Sequence, residues 1–193
     1  MALLIGSKKI KTAVFISGNG SNLKALIKFS KLKKSPISID LIISNNTKSK
    51  GLYYGSIYKI KKRIFNFENK SLAEKKILRE LKKDKIDLIC LAGFMKILSK
   101  KFIKNFKGKI LNIHPSLLPK FKGLNTHQRA IRNKETYSGC TVHFVNSKLD
   151  SGKIILQKKV KIYKYETPKS LAKKILVQEH KLYPKAISKI FRL

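Results

Sequence analysis

Apolar residues along the chain fall into two alternating patterns: short continuous runs, and longer stretches where they recur every three or four positions. The first pattern predicts buried strands and the second predicts helices lying on them. Residues 12–17 (TAVFIS) read as a strand, GNGSN as a turn, and residues 22–30 as a helix with Leu23, Leu26 and Ile27 on one side. The alternation repeats as strand 37–44, helix 50–59, short strand 63–67, amphipathic helix 72–83 and strand 88–92. Ser99 can cap a helix reaching Phe106, a strand follows at 109–113, and 126–132 is helical after a proline-bounded loop. Such alternation implies a parallel sheet. Beyond it, 139–145 and 153–163 are two strands joined by a short polar turn, the pattern of an antiparallel hairpin. A final helix opens at Thr167-Pro168 and runs to at least Leu182. No linker or repeat divides the chain. The expected architecture is α/β, one domain over residues 1–193 with 1–10 as a short N-terminal extension. Its Rossmann-like sheet is mostly parallel, flanked by helices, with an antiparallel C-terminal portion.

Composition narrows the class. A chain of 193 residues with 42% hydrophobic content can bury one sizeable core. The longest apolar stretches, such as LICLAG at 88–93, fall far short of the roughly 20 residues needed to span a bilayer. The N-terminal MALLIGSKK does not have the form of a secretory signal, so the cytoplasm is the expected location and no membrane partner is expected. Cys90 and Cys140 sit in apolar runs, as buried reduced thiols do. The 45 Lys and Arg against 10 acids give a net charge of +35, a value that ordinarily suggests nucleic acid. Here the excess is spread from Lys8 to Arg192 and is mostly Lys, a pattern of compositional drift, so nucleic acid is not the expected partner. A positive field would still draw in phosphorylated or polycarboxylate ligands.

Three segments carry residues suited to chemistry. In ILNIHPSLLPK at 110–120, Asn112 and His114 lie two positions apart at the end of a strand, so both project to one face. One can donate an amide N–H and the other can shuttle a proton, although a strand-end Asn-x-His is also a common structural pair. The loop SGNGSN at 17–22 joins the first strand to the first helix. Its glycines can turn backbone N–H groups toward a phosphate at the positive helix end; the alternative is a tight turn. It is neither a dinucleotide fingerprint nor a P-loop. Asp150, in the turn NSKLDSG, either faces the C-terminal edge of the sheet, where within reach of His114 it would raise the imidazole pKa, or shapes the bend before Gly152.

Together SGNGSN, LAGFMKILS at 91–99, NIHPSLLPKFKGLNTH at 112–127 and GCTVHFVNSKLDSGKIILQ at 139–157 resemble the phosphoribosylglycinamide formyltransferases, with four motifs in family order from about Lys11 onward. The resemblance implies an enzyme of de novo purine (IMP) synthesis. It would move a formyl group from 10-formyltetrahydrofolate to the amine of glycinamide ribonucleotide, with small-molecule partners, no metal, and a monomer or weak homodimer as the assembly. It implies catalytic roles for His114 as proton donor, Asn112 as oxyanion stabiliser and Asp150 as the group raising the His114 pKa. Gly20, Ser21, Asn22 and Glu179 would hold the ribonucleotide. Met95, Lys96, Ile97, Leu98, Asn112, Asn146, Ser147, Lys148, Leu149 and Asp150 would line the folate pocket.

The sequence departs from the family in placing Asn125 where a histidine is frequent, with His127 kept two residues later. It also has no clear match for a basic folate contact before residue 72, a place Arg63 or Lys70 can fill. Two relatives share the Asn-x-His-Pro core. Methionyl-tRNA formyltransferase would need an added C-terminal domain and formyltetrahydrofolate hydrolase an added N-terminal one, and neither is expected in this length.

Overall fold

The computed structural model describes residues 9–191. Most of the expected N-terminal extension therefore lies outside the described residues. One seven-stranded sheet organises the chain, in the order β3-β2-β1-β4-β5-β6-β7. Its strands are β1 (Ile10–Ile16), β2 (Ile37–Ser44), β3 (Lys61–Ile64), β4 (Leu88–Leu91), β5 (Lys109–His114), β6 (Tyr137–Phe144) and β7 (Ile154–Lys161). The first five are mutually parallel, and β6 and β7 join them antiparallel. The helices are α1 (Ser21–Ser30), α2 (Leu52–Ile57), α3 (Lys70–Lys83), α4 (Lys100–Asn105), α5 (Thr126–Arg132) and α6 (Pro168–Ile190).

Two cores follow from the two-residue period of the strands. In β1, Val14 and Ile16 join Leu23, Leu26, Ile175 and Tyr183 under α1 and α6. Ala13 and Phe15 point to the other face and meet Ile77, Leu81 and Phe102 under α3 and α4. In β2 the alternation changes phase. Ile37, Ile39 and Ile42 share the first core while Leu41 and Ile43 enter the second, because the ladder skips a residue between Thr12–Ile39 and Ala13–Leu41. Asp40 occupies the irregularity and its carboxylate accepts from Thr12 N (3.3 Å) and Ser38 Oγ (2.6 Å). Both cysteines are buried and free, with their thiols pushed up to about 12 by burial, so neither serves as a nucleophile.

Several boundaries differ from the pattern-based expectation. The third strand sits at Lys61–Ile64 rather than 63–67, since Lys59 (φ 54°) ends the α2 segment early; Phe65 N makes a last bond to the Ser44 carbonyl (2.9 Å), and Phe65 and Phe67 then pack on the second core. The β6–β7 connection occupies residues 145–153, longer than a short turn. The last helix continues through Pro184 to Ile190. Proline removes one backbone bond, but Ala186 and Ile187 are fully buried beyond it and hold the final turns.

Tyr183 links the last helix to the sheet centre. Its hydroxyl lies 3.0 Å from the Leu111 carbonyl and 3.2 Å from that of Leu91, in adjacent strands, and the residue is fully buried. Replacing it with Phe strips both contacts without changing the packing volume appreciably. Tyr183→Phe is expected to lower unfolding free energy by about 1–2 kcal/mol, read from the urea midpoint at unchanged m-value. An unshifted midpoint would remove this anchor from the account of the fold.

Candidate active site

β5 presents Asn112 and His114 on the α3/α4 side of the sheet, because Leu111 and Ile113 point into the opposite core. The antiparallel register sets His143 of β6 opposite Asn112 and Thr141 opposite His114. β6 ends beside Leu111, and the 145–153 connection then folds back over this face instead of projecting from the sheet edge. Asp150 at its apex adopts φ 44°, a left-handed conformation that Asp tolerates better than most side chains.

The Asp150 carboxylate is the meeting point. Oδ2 accepts Gly123 N–H at 2.9 Å and lies 3.4 Å from His114 Nδ1. Oδ1 accepts from Asn112 Nδ2 at 3.4 Å and stands 3.6 Å from His143 Nε2, too long for a hydrogen bond. His143 Nδ1 donates to the Phe144 carbonyl (2.8 Å), which leaves Nε2 as an acceptor for the Asn112 amide at 3.3 Å. His114 Nε2 donates to the Phe121 carbonyl at 2.9 Å. In the neutral ring its Nδ1 lone pair then faces Asp150, so the pair tightens only when His114 is protonated.

The His114 pKa is set by the balance of these effects. Burial is the largest influence on His114 and holds it below the ordinary imidazole value; the Phe121 carbonyl and the Asp150 charge push upward but are outweighed. Asp150 does act in the anticipated direction. It does not decide the sign. For Asp150 itself, burial pushes up, yet the nearby His143, the Gly123 N–H and the His114 charge together bring it below the usual carboxylate range.

The loop at 115–123 is held from beneath. Thr141 Oγ donates to the Ser116 carbonyl (2.6 Å) and accepts from Leu118 N (3.1 Å) and Gln157 Nε2 (2.9 Å). Gln157 also donates to the Leu118 carbonyl (2.8 Å), and the Leu118–Pro119 peptide is cis. His143, Thr141 and Gln157 escaped the sequence reading because each lies inside a strand that reads as structural. The signal available was register: once Asn112 and His114 share a face, their antiparallel partners share it too.

A second cluster lies on the α1/α6 side. Gly20 caps α1 in a left-handed conformation (φ 71°), and a Cβ there would sit 2.6 Å from Gly51 Cα, so the loop needs a residue with no side chain. Asn22, 7% exposed, donates from Nδ2 to Glu179 Oε2 at 2.7 Å, and its own Oδ1 is buried without a partner. Burial raises the Glu179 pKa despite this bond. Among the described residues no hydrogen bond or ion pair joins this pair to the Asp150 cluster.

Of the 93–98 segment, Met95 and Ile97 are each 62% exposed while Leu98 enters the core; Lys96 is also exposed. In the 145–153 connection Asn146 Oδ1 accepts Lys148 N (3.0 Å), and Ser147, Lys148 and Leu149 are exposed. Arg63 is engaged by Glu80 (3.2 Å). Asn125 caps α5 at φ 56°, and His127 in that helix has Nδ1 buried without a partner, with its pKa lowered by burial and the His114 charge.

The family model "Formyl transferase" matches residues 10–187. The phosphoribosylglycinamide formyltransferase of Haemophilus influenzae is 43% identical over 180 residues, 92% of this chain and 85% of that protein. The human trifunctional purine biosynthetic protein adenosine-3 is 43% identical over 183 residues, and the match covers 93% of this chain but 18% of that protein. The crystal structure of phosphoribosylglycinamide formyltransferase from Brucella melitensis superposes with a TM-score of 0.90 at 41% identity, covering 95% of this chain and 96% of that one.

The opposed influences on His114 are separable. In an NMR titration its ring is expected to titrate below about 6.5, and Asp150→Asn is expected to move it lower still, because the charge that favours protonation is gone. Linkage fixes the sign: a lowered folded pKa means the unfolded chain takes up the proton first, so this contribution to stability is lost as pH falls through about 6.5. A wild-type value above 6.5, or no response to Asp150→Asn, would contradict this electrostatic balance.

Proposed function

The chain belongs to the formyl transferase family, among the phosphoribosylglycinamide formyltransferases, and from that membership we propose that it transfers the formyl group of 10-formyltetrahydrofolate to the amine of glycinamide ribonucleotide. The product would be the N-formyl ribonucleotide and tetrahydrofolate, within cytoplasmic purine synthesis. The observation that carries the reading is the assembly of Asn112, His114 and Asp150 on one sheet face, with the imidazole and carboxylate both nearly buried.

In this mechanism the substrate amine attacks the formyl carbon and the carbonyl oxygen becomes an oxyanion. Asn112 Nδ2 is held by two long contacts, 3.3 and 3.4 Å, which are weak and easily exchanged for a stronger bond to that oxygen. His114 donates Nε2–H beside it, taking the oxyanion in place of the Phe121 carbonyl. Negative charge developing there favours imidazolium, and Asp150 at Nδ1 adds to that bias, so the proton becomes available as the intermediate forms. The attacking nitrogen loses a proton, the folate nitrogen gains one, and the C–N bond to folate breaks. No covalent enzyme intermediate is required.

The other assignments follow the same logic. Gly20, Ser21 and Asn22 offer the phosphate the uncapped start of α1, where backbone N–H groups point outward and no acidic residue stands in the first turn. Glu179, tied to Asn22, would take the ribose or glycinamide side. Met95, Lys96 and Ile97, with the backbone of the buried Leu98, on one side, and Asn146, Ser147, Lys148, Leu149 and Asp150 on the other, would enclose the folate between the exposed Met95 and Ile97 side chains and backbone groups.

An absorbance assay of folate release tests the activity directly, with the ribonucleotide omitted in parallel. Ribonucleotide-dependent turnover is expected; deformylation without it would indicate a hydrolase instead. His114→Ala and Asp150→Asn are each expected to cut kcat by roughly 10²–10³ in folded protein, so near-normal turnover in either would defeat the assigned role. Asn22→Ala should chiefly raise the KM for the ribonucleotide, by about tenfold, leaving that for the folate donor unchanged. An unaltered KM would make the glycine loop a turn and nothing more.

A further inference from the structure

The strand order reverses at β1, with β2 and β3 on one side and β4 to β7 on the other. The chain leaving β1 enters α1 over one core, and the chain leaving β4 enters α4 over the other, so a crevice opens between them. Ser17, the residue immediately after β1, spans that crevice. Its N–H donates to the Gly93 carbonyl (3.1 Å), and its Oγ accepts Met95 N–H (2.8 Å) while donating to Asn45 Oδ1 (2.5 Å). Its carbonyl accepts from Asn46 Nδ2 at 3.2 Å. Every polar group of this one residue is thus spent on the connections after β4 and β2.

The 93–98 segment it holds has no helix or strand of its own. Its far end is fixed by Glu74 of α3, which accepts Ser99 N (2.8 Å) and Ser99 Oγ (2.5 Å). Between these clips Phe94 and Leu98 pack into the second core, while the exposed Met95 and Ile97 take their placement from the backbone that Ser17 and these two side chains hold. The Ser17 side chain belongs to neither core, and the β1 ladder is complete at Ile16–Ser44 and Phe15–Leu91. Removing its hydroxyl therefore leaves the fold intact and the Ser17 N–Gly93 bond in place, but frees Met95 N and Asn45.

We propose that Ser17 is a positioning residue whose hydroxyl fixes the 93–98 wall relative to the glycine loop, and so sets the affinity for the formyl donor. This rests on the formyl-transfer reading for its kinetic consequence. Its structural consequence is independent of it.

The test compares wild type, Ser17→Ala and Ser17→Thr. In Ser17→Ala, backbone amides of 93–98 are expected to exchange with solvent about tenfold faster while β4 and α4 are unchanged. The KM for 10-formyltetrahydrofolate and the Kd for tetrahydrofolate by calorimetry should each rise about tenfold, with kcat and the ribonucleotide KM within about twofold. Ser17→Thr, which keeps the hydroxyl, should restore slow exchange and the donor KM. Unchanged exchange at 93–98 in Ser17→Ala would overturn the proposal. So would a loss of kcat that tracks a fall in Tm with both KM values unmoved, or equal effects in the Ala and Thr variants. Should the wild-type protein fail to use the formyl donor, the functional reading falls, and the exchange data alone still decide whether Ser17 holds the wall.

Discussion

A carboxylate removed from water must find compensation nearby or lose its charge, and Asp150 meets that requirement with groups from three parts of the chain. Gly123 supplies a backbone donor from the loop after β5, Asn112 an amide, and His114 and His143 two imidazoles on neighbouring strands. Each depends on the others for its geometry. The carboxylate is 8% exposed only because residues 145–153 fold back over the sheet, and the fold-back is possible because Asp150 accepts a left-handed backbone. The same contact draws Gly123 inward, which holds the Phe121 carbonyl against His114.

Much of this was legible from the chain. The strand–helix alternation gave the parallel sheet and the antiparallel end, since both rest on local periodicity. Asn112 and His114 could be placed on one face because a strand repeats every two residues. What escaped depended on pairing across the sheet. His143 enters through the β5–β6 register, and the phase change in β2 depends on Asp40 bonding Thr12 in another strand. Helix α6 runs through Pro184 because distant residues bury Tyr183 and Ala186, which outweighs one missing backbone bond. The direction of the His114 pKa was hidden for a related reason: a neighbouring charge can be guessed from sequence, whereas the depth of burial opposing it cannot.

The large positive charge bears little on this architecture. Ion pairs among the described residues use Lys61, Arg63, Lys120 and Lys174, while the other lysines mostly cover exposed faces. On the outermost strand β7, Lys158, Lys159 and Lys161 are exposed along a line of backbone groups that no further strand among the described residues pairs with. Charged side chains there discourage another chain from extending the sheet.

Gly20 and Gly51 show how two connections distant in sequence can constrain one another's shape. A Cβ on Gly20 would meet Gly51 Cα at 2.6 Å, and one on Gly51 would meet Ile16 Cδ1 at 2.6 Å and Gly20 Cα at 3.0 Å, while Gly51 N donates to the Gly18 carbonyl at 3.0 Å. The two loops are in backbone contact, so their permitted substitutions are not independent. Change at position 51 is filtered through the shape of the glycine loop as strictly as change within that loop. The two connections form one steric unit, although about thirty positions of sequence lie between them.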